Sequence, residues 1–143
     1  MRNPFRRAAA PAGYPKSDAG SGSLDQYAFN LVPKNGRVKV QLAGSDPYQE
    51  ELARVRNTGA DSIEVFFADR TVEEERTDAA MPARIFTSSR MSGIVGYVPR
   101  GLEPVILEAM ARLASAGRST RIPAEIADTK RGLRVTLLMG ATR

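Results

Sequence analysis

Apolar and polar residues alternate from residue 37 onward, and this alternation predicts a domain built mainly of short strands. Residues 37–42 have the sequence Arg-Val-Lys-Val-Gln-Leu, the period-two pattern of a strand with one buried face. Other segments between turn residues have a composition typical of strands. The predicted strands among them are residues 63–68, 83–87, 93–99, 121–127 and 133–139. Residues 128–132, between the last two, predict a five-residue basic hairpin loop.

Two segments have the residue spacing of helices. In residues 103–116 apolar side chains recur at intervals of three and four residues, and Gly117 follows as a helix stop. Residues 47–56 predict a shorter helix with Pro47 in its first turn. The acidic run of residues 72–78 predicts an exposed loop.

These elements follow one another as a strand, a helix, three strands, a helix and two strands. This order predicts a mainly β fold of the α+β class with two helices, arranged as a small, partly open barrel like the OB and SH3-like barrels. We assign residues 24–143 to this barrel domain. Residues 1–23 are rich in Ala, Gly, Ser and Pro and have few side chains to bury, which predicts a disordered, basic N-terminal arm.

Histidine and cysteine are both absent from the sequence. Their absence excludes disulfides, thiolate nucleophiles, histidine general bases and the usual Cys/His zinc sites. We interpret the successive glutamates 73–75 as solvated side chains rather than a metal site. We therefore expect a protein that is not an enzyme and has no cofactor. No segment approaches the roughly 18–20 apolar residues of a membrane span, so we also expect a cytoplasmic protein.

The charged residues are unevenly distributed, although the net charge is only +5. Residues 1–23 contain four basic side chains and one acidic one. Residues 61–78 contain seven acids and two arginines, whereas residues 112–143 contain seven basic residues and two acids. This polarity is compatible with binding to nucleic acid or to an anionic surface, and equally with an ordinary solvated surface.

Two motifs, in this order, carry a resemblance to a known family. Residues 42–49 are Leu-Ala-Gly-Ser-Asp-Pro-Tyr-Gln, and residues 94–100 are Ile-Val-Gly-Tyr-Val-Pro-Arg. They are similar to the V-x-G-x-x-Y-Y/Q and V-G-Y-L-P-R motifs of the HIRAN domain, and the predicted helix 103–116 follows the second motif as it does in that family. The chain from Val38 to about Leu113 therefore resembles a stand-alone HIRAN domain of the bacterial or phage kind.

The resemblance implies an OB-like barrel and, from the eukaryotic DNA-repair members, binding of single-stranded DNA with a free 3′ end. In such a site an aromatic ring stacks on a base, basic groups follow phosphates, and a carboxylate accepts a hydrogen bond from a terminal hydroxyl. Tyr48 and Tyr97 are the candidate rings, and Asp78 is the candidate carboxylate. The remaining candidate contacts are Gln49, Arg84, Arg90, Arg100, Lys130, Arg131 and Arg134. For the tyrosines the alternative is sheet packing, and for the basic residues it is a solvated surface.

Two functions follow from these patterns. The first is a non-enzymatic module that binds single-stranded DNA or DNA ends, with the basic arm adding contacts to phosphates. The second is a protein–protein or assembly module that keeps the barrel without the DNA groove, in which acidic and basic faces of different copies pair.

Overall fold

The computed structural model describes residues 16–59, 62–68, 71–77, 79–87 and 90–143. Its helices are α1 (Gln49–Arg56), α2 (Val72–Arg76) and α3 (Glu103–Ser115), with short 3₁₀ helices that include Asp46–Tyr48 and Met139–Thr142. The strands are β1 (Val40–Gln41), β2 (Ile63–Phe67), β3 (Pro82–Thr87), β4 (Arg90–Tyr97), β5 (Ile122–Thr129) and β6 (Gly132–Leu137).

The strands form one antiparallel sheet in the order β1-β6-β5-β2-β3-β4. The sheet curls until its two edges meet at one point. There Ala43, just after β1, and Tyr97, at the end of β4, exchange two backbone hydrogen bonds of 2.8 and 2.7 Å. The predicted fold class, a mainly β, partly open barrel with helices, is therefore confirmed.

The core lies inside the curled sheet and under α3. Val65, Phe67 and Ile85 alternate with outward-facing residues and are at most 1% exposed, as the period-two pattern requires. On α3 the buried residues are Val105, Ile106, Ala109 and Leu113. Their three- and four-residue spacing is the helical pattern that the sequence shows.

The acidic run is a helix and not the predicted loop. Thr71 caps α2: its hydroxyl accepts from the Glu74 backbone N–H, and the Glu74 carboxylate accepts from the Thr71 N–H. This reciprocal capping box stabilises a single turn even though four of its five side chains are charged. The predicted exposure is correct, since Val72 is 79% exposed.

The β5–β6 hairpin is also tighter than predicted. Thr129 and Gly132 pair across it, so its turn has only two residues, Lys130 and Arg131. Gly132 has a φ of +104°, which glycine adopts without the steric clash of a side chain. The two basic residues of the turn therefore stand at the tip of a regular two-residue hairpin.

Part of the segment assigned to the arm contacts the barrel. Ser21 forms two backbone hydrogen bonds with Gln41 of β1, 3.1 and 2.9 Å long, and extends the sheet edge. Gly20, with a φ of +72°, allows this approach, because a Cβ there would collide with the Gln41 carbonyl oxygen. We call residues 17–22 the strap. Residues 1–15, with three of the arm's basic side chains, lie outside the described residues.

Candidate functional site

The two candidate aromatic rings meet where the barrel closes. Tyr48 ends the 3₁₀ helix Asp46–Tyr48, and Tyr97 ends β4. Their hydroxyl oxygens are 2.9 Å apart and share a hydrogen bond, while the ring centroids are 6.3 Å apart at an interplanar angle of 54°. Burial and the hydrogen bond shared with Tyr48 raise the pKa of Tyr97 to about 12. Both rings are half-buried, so part of each reaches the surface.

Close contacts between residues 43–45 and residues 95–96 position the two segments that carry the rings. The Ser45 hydroxyl is buried and donates to the Val95 carbonyl oxygen at 2.8 Å. Gly96 lies beside it, and a Cβ there would be only 2.9 Å from the Ala43 carbonyl oxygen and from Ser45 Oγ. Ser45 of the first motif and Gly96 of the second therefore let these two segments approach each other closely at the barrel seam.

Gln49 holds α1 against the hairpin. Its side-chain nitrogen donates to the carbonyl oxygens of Ser45 and Leu133, both at 3.0 Å, and its side-chain oxygen accepts from the Leu133 N–H at 2.8 Å. Both N–H donors of the amide are thus engaged within the protein. Gln49, which the sequence predicts as a nucleic-acid contact, therefore positions α1 in this structure.

Arg134 is buried and already paired. Its guanidinium contacts Asp18 of the strap, with Nε 3.4 Å from Oδ1, and Asp46 at the start of the 3₁₀ helix. Asp18 Oδ2 also accepts the Asp46 backbone N–H at 2.9 Å. The arginine is only 2% exposed, so it has almost no surface to offer a phosphate. Arg134, which the sequence predicts as a nucleic-acid contact, joins the strap to the 3₁₀ helix in this structure.

Lys130 and Arg131 are exposed at the hairpin tip. Arg131 Nη2 lies 2.9 Å from Asp46 Oδ2, and its side chain is 45% exposed. Together with strap residues 17–20 they line a cavity of about 310 Å³. The hairpin tip is therefore the accessible part of the predicted basic segment.

Arg100 also lies against the strap. It belongs to a cavity of about 270 Å³ lined by strap residues 19–22 and by residues 99–102. Ala19 and Gly20 line this cavity and the one at the hairpin. Arg100 Nη1 is 3.3 Å from Glu103 Oε2, so its charge is partly compensated. The structure thus brings Arg100, Lys130 and Arg131 to the same stretch of chain.

The other two candidate arginines lie elsewhere. Arg84 is exposed on the outer face of β3 and donates to the Ser92 carbonyl oxygen at 3.3 Å. Arg90 is exposed at the first residue of β4. Because β4 is eight residues long, Arg90 lies roughly 20 Å from Tyr97 at the other end. Arg90 therefore does not join the tyrosine pair, whereas Arg84 pairs with Ile94 in the middle of β4. Asp78 lies outside the described residues.

A surface cluster on the outer face of the sheet was missed by sequence reasoning. The Arg121 guanidinium lies 4.1 Å from the centre of the Phe86 ring, and its Nε donates to Glu64 Oε1 at 2.9 Å. Strand alternation places Glu64 and Phe86 opposite each other and facing outward. The sequence shows this alternation in each strand. It does not show that β2 pairs with β3 and β5, which is what brings Arg121 to Phe86 and Glu64.

None of the described helices combines the length and apolar composition needed to span a lipid bilayer. Among the described residues, no group of three or more acidic side chains is placed to hold a metal ion. Comparison with protein-family models, with curated proteins and with solved structures finds no match to this chain.

Proposed function

We propose that this protein is a non-enzymatic, HIRAN-like module that binds single-stranded DNA and prefers a free 3′ end. One observation supports the proposal most. The 3₁₀ helix Asp46–Tyr48 contacts the exposed hairpin cation Arg131 through Asp46 and the ring of Tyr97 through Tyr48. Accessible positive charge and half-buried aromatic rings are thus neighbours at the seam of a partly open barrel.

This combination suits a single strand of nucleic acid. Stacking of a base on an aromatic side chain contributes about 1–3 kcal/mol and tolerates any base. Lys130, Arg131 and Arg100 supply charge for the phosphates on either side, and each phosphate contact releases about one counterion. The arm arginines Arg2 and Arg6 add further charge in the sequence before the strap.

The test is fluorescence anisotropy with labelled single-stranded oligonucleotides that end in a 3′-hydroxyl or a 3′-phosphate, at two salt concentrations. We expect the full chain to prefer the hydroxyl end and Tyr48→Ala to weaken binding about tenfold or more. The matched control is Tyr14→Ala, which removes a tyrosine of the arm. Circular dichroism must show that Tyr48→Ala remains folded.

A different result would overturn the proposal. If binding is indifferent to the 3′ end and disappears when Arg2, Arg6 and Arg7 are changed to Gln, only electrostatic attraction to the arm remains. Unchanged affinity in the double variant Lys130→Gln/Arg131→Gln would likewise remove the hairpin from the interface.

Self-assembly is the second candidate function, and α2 favours it. The helix is exposed, carries three successive glutamates, and presents Val72 with 79% of its surface exposed. An acidic helix with an apolar residue is complementary to the basic hairpin tip of another copy. Light scattering tests this function: a mass that rises with protein concentration, is unaffected by DNA, and falls in Val72→Ser supports assembly.

A further inference from the structure

A second group of arginines surrounds a cavity at the C-terminal end of α3. The cavity has a volume of about 450 Å³, and its charged lining residues are Arg112, Arg118, Arg143 and Glu108. It lies beside the 3₁₀ helix Met139–Thr142, whereas the hairpin tip lies beyond the other end of β6. Six residues of strand separate the two places by roughly 20 Å. This cavity is therefore distinct from the surface at the barrel seam.

Arg112 is held in a fixed orientation there. Its Nε donates to the Thr142 carbonyl oxygen at 3.2 Å and its Nη2 to the Thr142 hydroxyl at 2.9 Å. Within the part of the chain that the structure describes, no carboxylate forms an ion pair with Arg112, and its buried Nη1 has no hydrogen-bond partner. A half-buried guanidinium without a counter-charge is unfavourable, and a bound anion would compensate it.

Tyr27 adds a second unsatisfied group close to Arg112. The ring is 5% exposed, and its hydroxyl has no hydrogen-bond partner among the described residues. Burial raises the pKa of Tyr27 to about 12, and the nearby positive charge of Arg112 opposes that rise. The tyrosine therefore stays protonated at neutral pH, as an O–H donor within electrostatic reach of the guanidinium.

Arg118 and Arg143 complete the positive lining. Arg118 Nη2 donates to the Ala141 carbonyl oxygen at 3.2 Å, and both side chains are exposed. Neither forms an ion pair with a described acid, and the charged side chains of the lining are three arginines and one glutamate, Glu108. Guanidinium groups match the geometry of phosphate oxygens and bind them through paired N–H donors. We propose that this cavity binds a phosphate group, with Arg112 as its anchor and Arg118 and Arg143 as the outer contacts.

The probe is inorganic phosphate, titrated into the ¹⁵N-labelled full chain against sodium chloride of equal ionic strength. We expect saturable shifts of the Nε–H signals of Arg112 and Arg118 with phosphate and none with chloride. Arg118→Gln and Arg143→Gln change exposed side chains and leave the fold intact, and each should weaken binding about tenfold. The matched control is Arg90→Gln, an exposed arginine at the start of β4.

Weak, non-saturable shifts at all arginines, or equal loss of affinity in Arg90→Gln, would overturn the proposal.

If phosphate binds, a single-stranded oligonucleotide used as a second probe identifies the source of the phosphate. If Arg118→Gln weakens both probes, the site takes the backbone of a nucleic acid; if it weakens only inorganic phosphate, the site takes a small phosphate compound. Either result is independent of Tyr48→Ala, so the cavity and the seam surface are tested separately.

Discussion

Replacing Asp18 tests whether the strap contributes to the stability of the barrel. The carboxylate and the Arg134 guanidinium are both about 97% buried, with side-chain exposures of 2% and 3%. Asp18→Asn keeps the size and an acceptor oxygen for the Asp46 N–H but removes the charge that compensates Arg134. Breaking a buried ion pair from one side costs about 3–5 kcal/mol. Because Arg134 keeps Asp46, a half-exposed partner, we expect a loss at or below the lower end of this range, about 2–3 kcal/mol.

Urea unfolding at neutral pH, monitored by circular dichroism, measures this loss of stability. With a denaturant slope of roughly 1–3 kcal/mol per molar, the midpoint should fall by about 1–3 M. Asp25→Asn is the control, because it removes the same charge from an exposed position just after the strap and should change stability by less than about 0.5 kcal/mol. In Asp18→Asn/Arg134→Met no buried charge remains, so the double variant should lose less than the sum of the single losses. Equal midpoints for Asp18→Asn and Asp25→Asn would refute the reasoning.

Three further changes test the seam around Tyr97. Gly96→Ala places a Cβ 2.9 Å from the Ala43 carbonyl oxygen, so thermal unfolding should show a loss of about 1–3 kcal/mol; an unchanged Tm would mean that the seam can widen. Gln49→Ala leaves the Leu133 N–H and carbonyl without their side-chain partner and should cost about 1–3 kcal/mol in urea unfolding, whereas the exposed neighbour Glu50→Ala should not. Since the pKa of Tyr97 is raised from 10.0 to about 12, the unfolded chain loses this proton first, and the stabilisation that is complete below pH 10 should disappear between pH 10 and 12. Absorbance titration checks the last point: Tyr48→Phe should lower that pKa, and no change would contradict the hydroxyl contact.

The regular elements could be predicted from the sequence because their signals are local. The apolar spacing of α3 and the alternation of β2 each reflect the face that the element buries. The helix α2 carries a local signal too, since Thr71 and Glu74 have the spacing of a capping box. Its acidic composition favoured a loop instead, because an exposed helix of five residues has no apolar face to reveal it.

The candidate site was harder to predict because its contacts join distant segments. In β6, Leu133, Arg134 and Val135 are all buried, although alternation predicts that the middle residue faces solvent. The strap covers that outer face, and its glycines and serines are the composition that usually indicates disorder. Similarly, nothing near Gln49 in sequence indicates that its amide is used by Leu133 of the hairpin.

The pairing of the strap also constrains the order in which this protein folds. Ser21 and Asp18 precede almost the whole sheet in sequence, while Arg134 lies in its last strand. Strand β1 pairs with β6 in the sheet. Like the strap, β1 therefore lacks its partner in β6 until the β5–β6 hairpin is synthesised. On the ribosome the N-terminal third of the domain must therefore wait for the last strand, and contacts between such distant residues form slowly. During that interval the edge of β1 is open to pairing with other chains, so its early exposure is an aggregation risk that the short length of β1 limits.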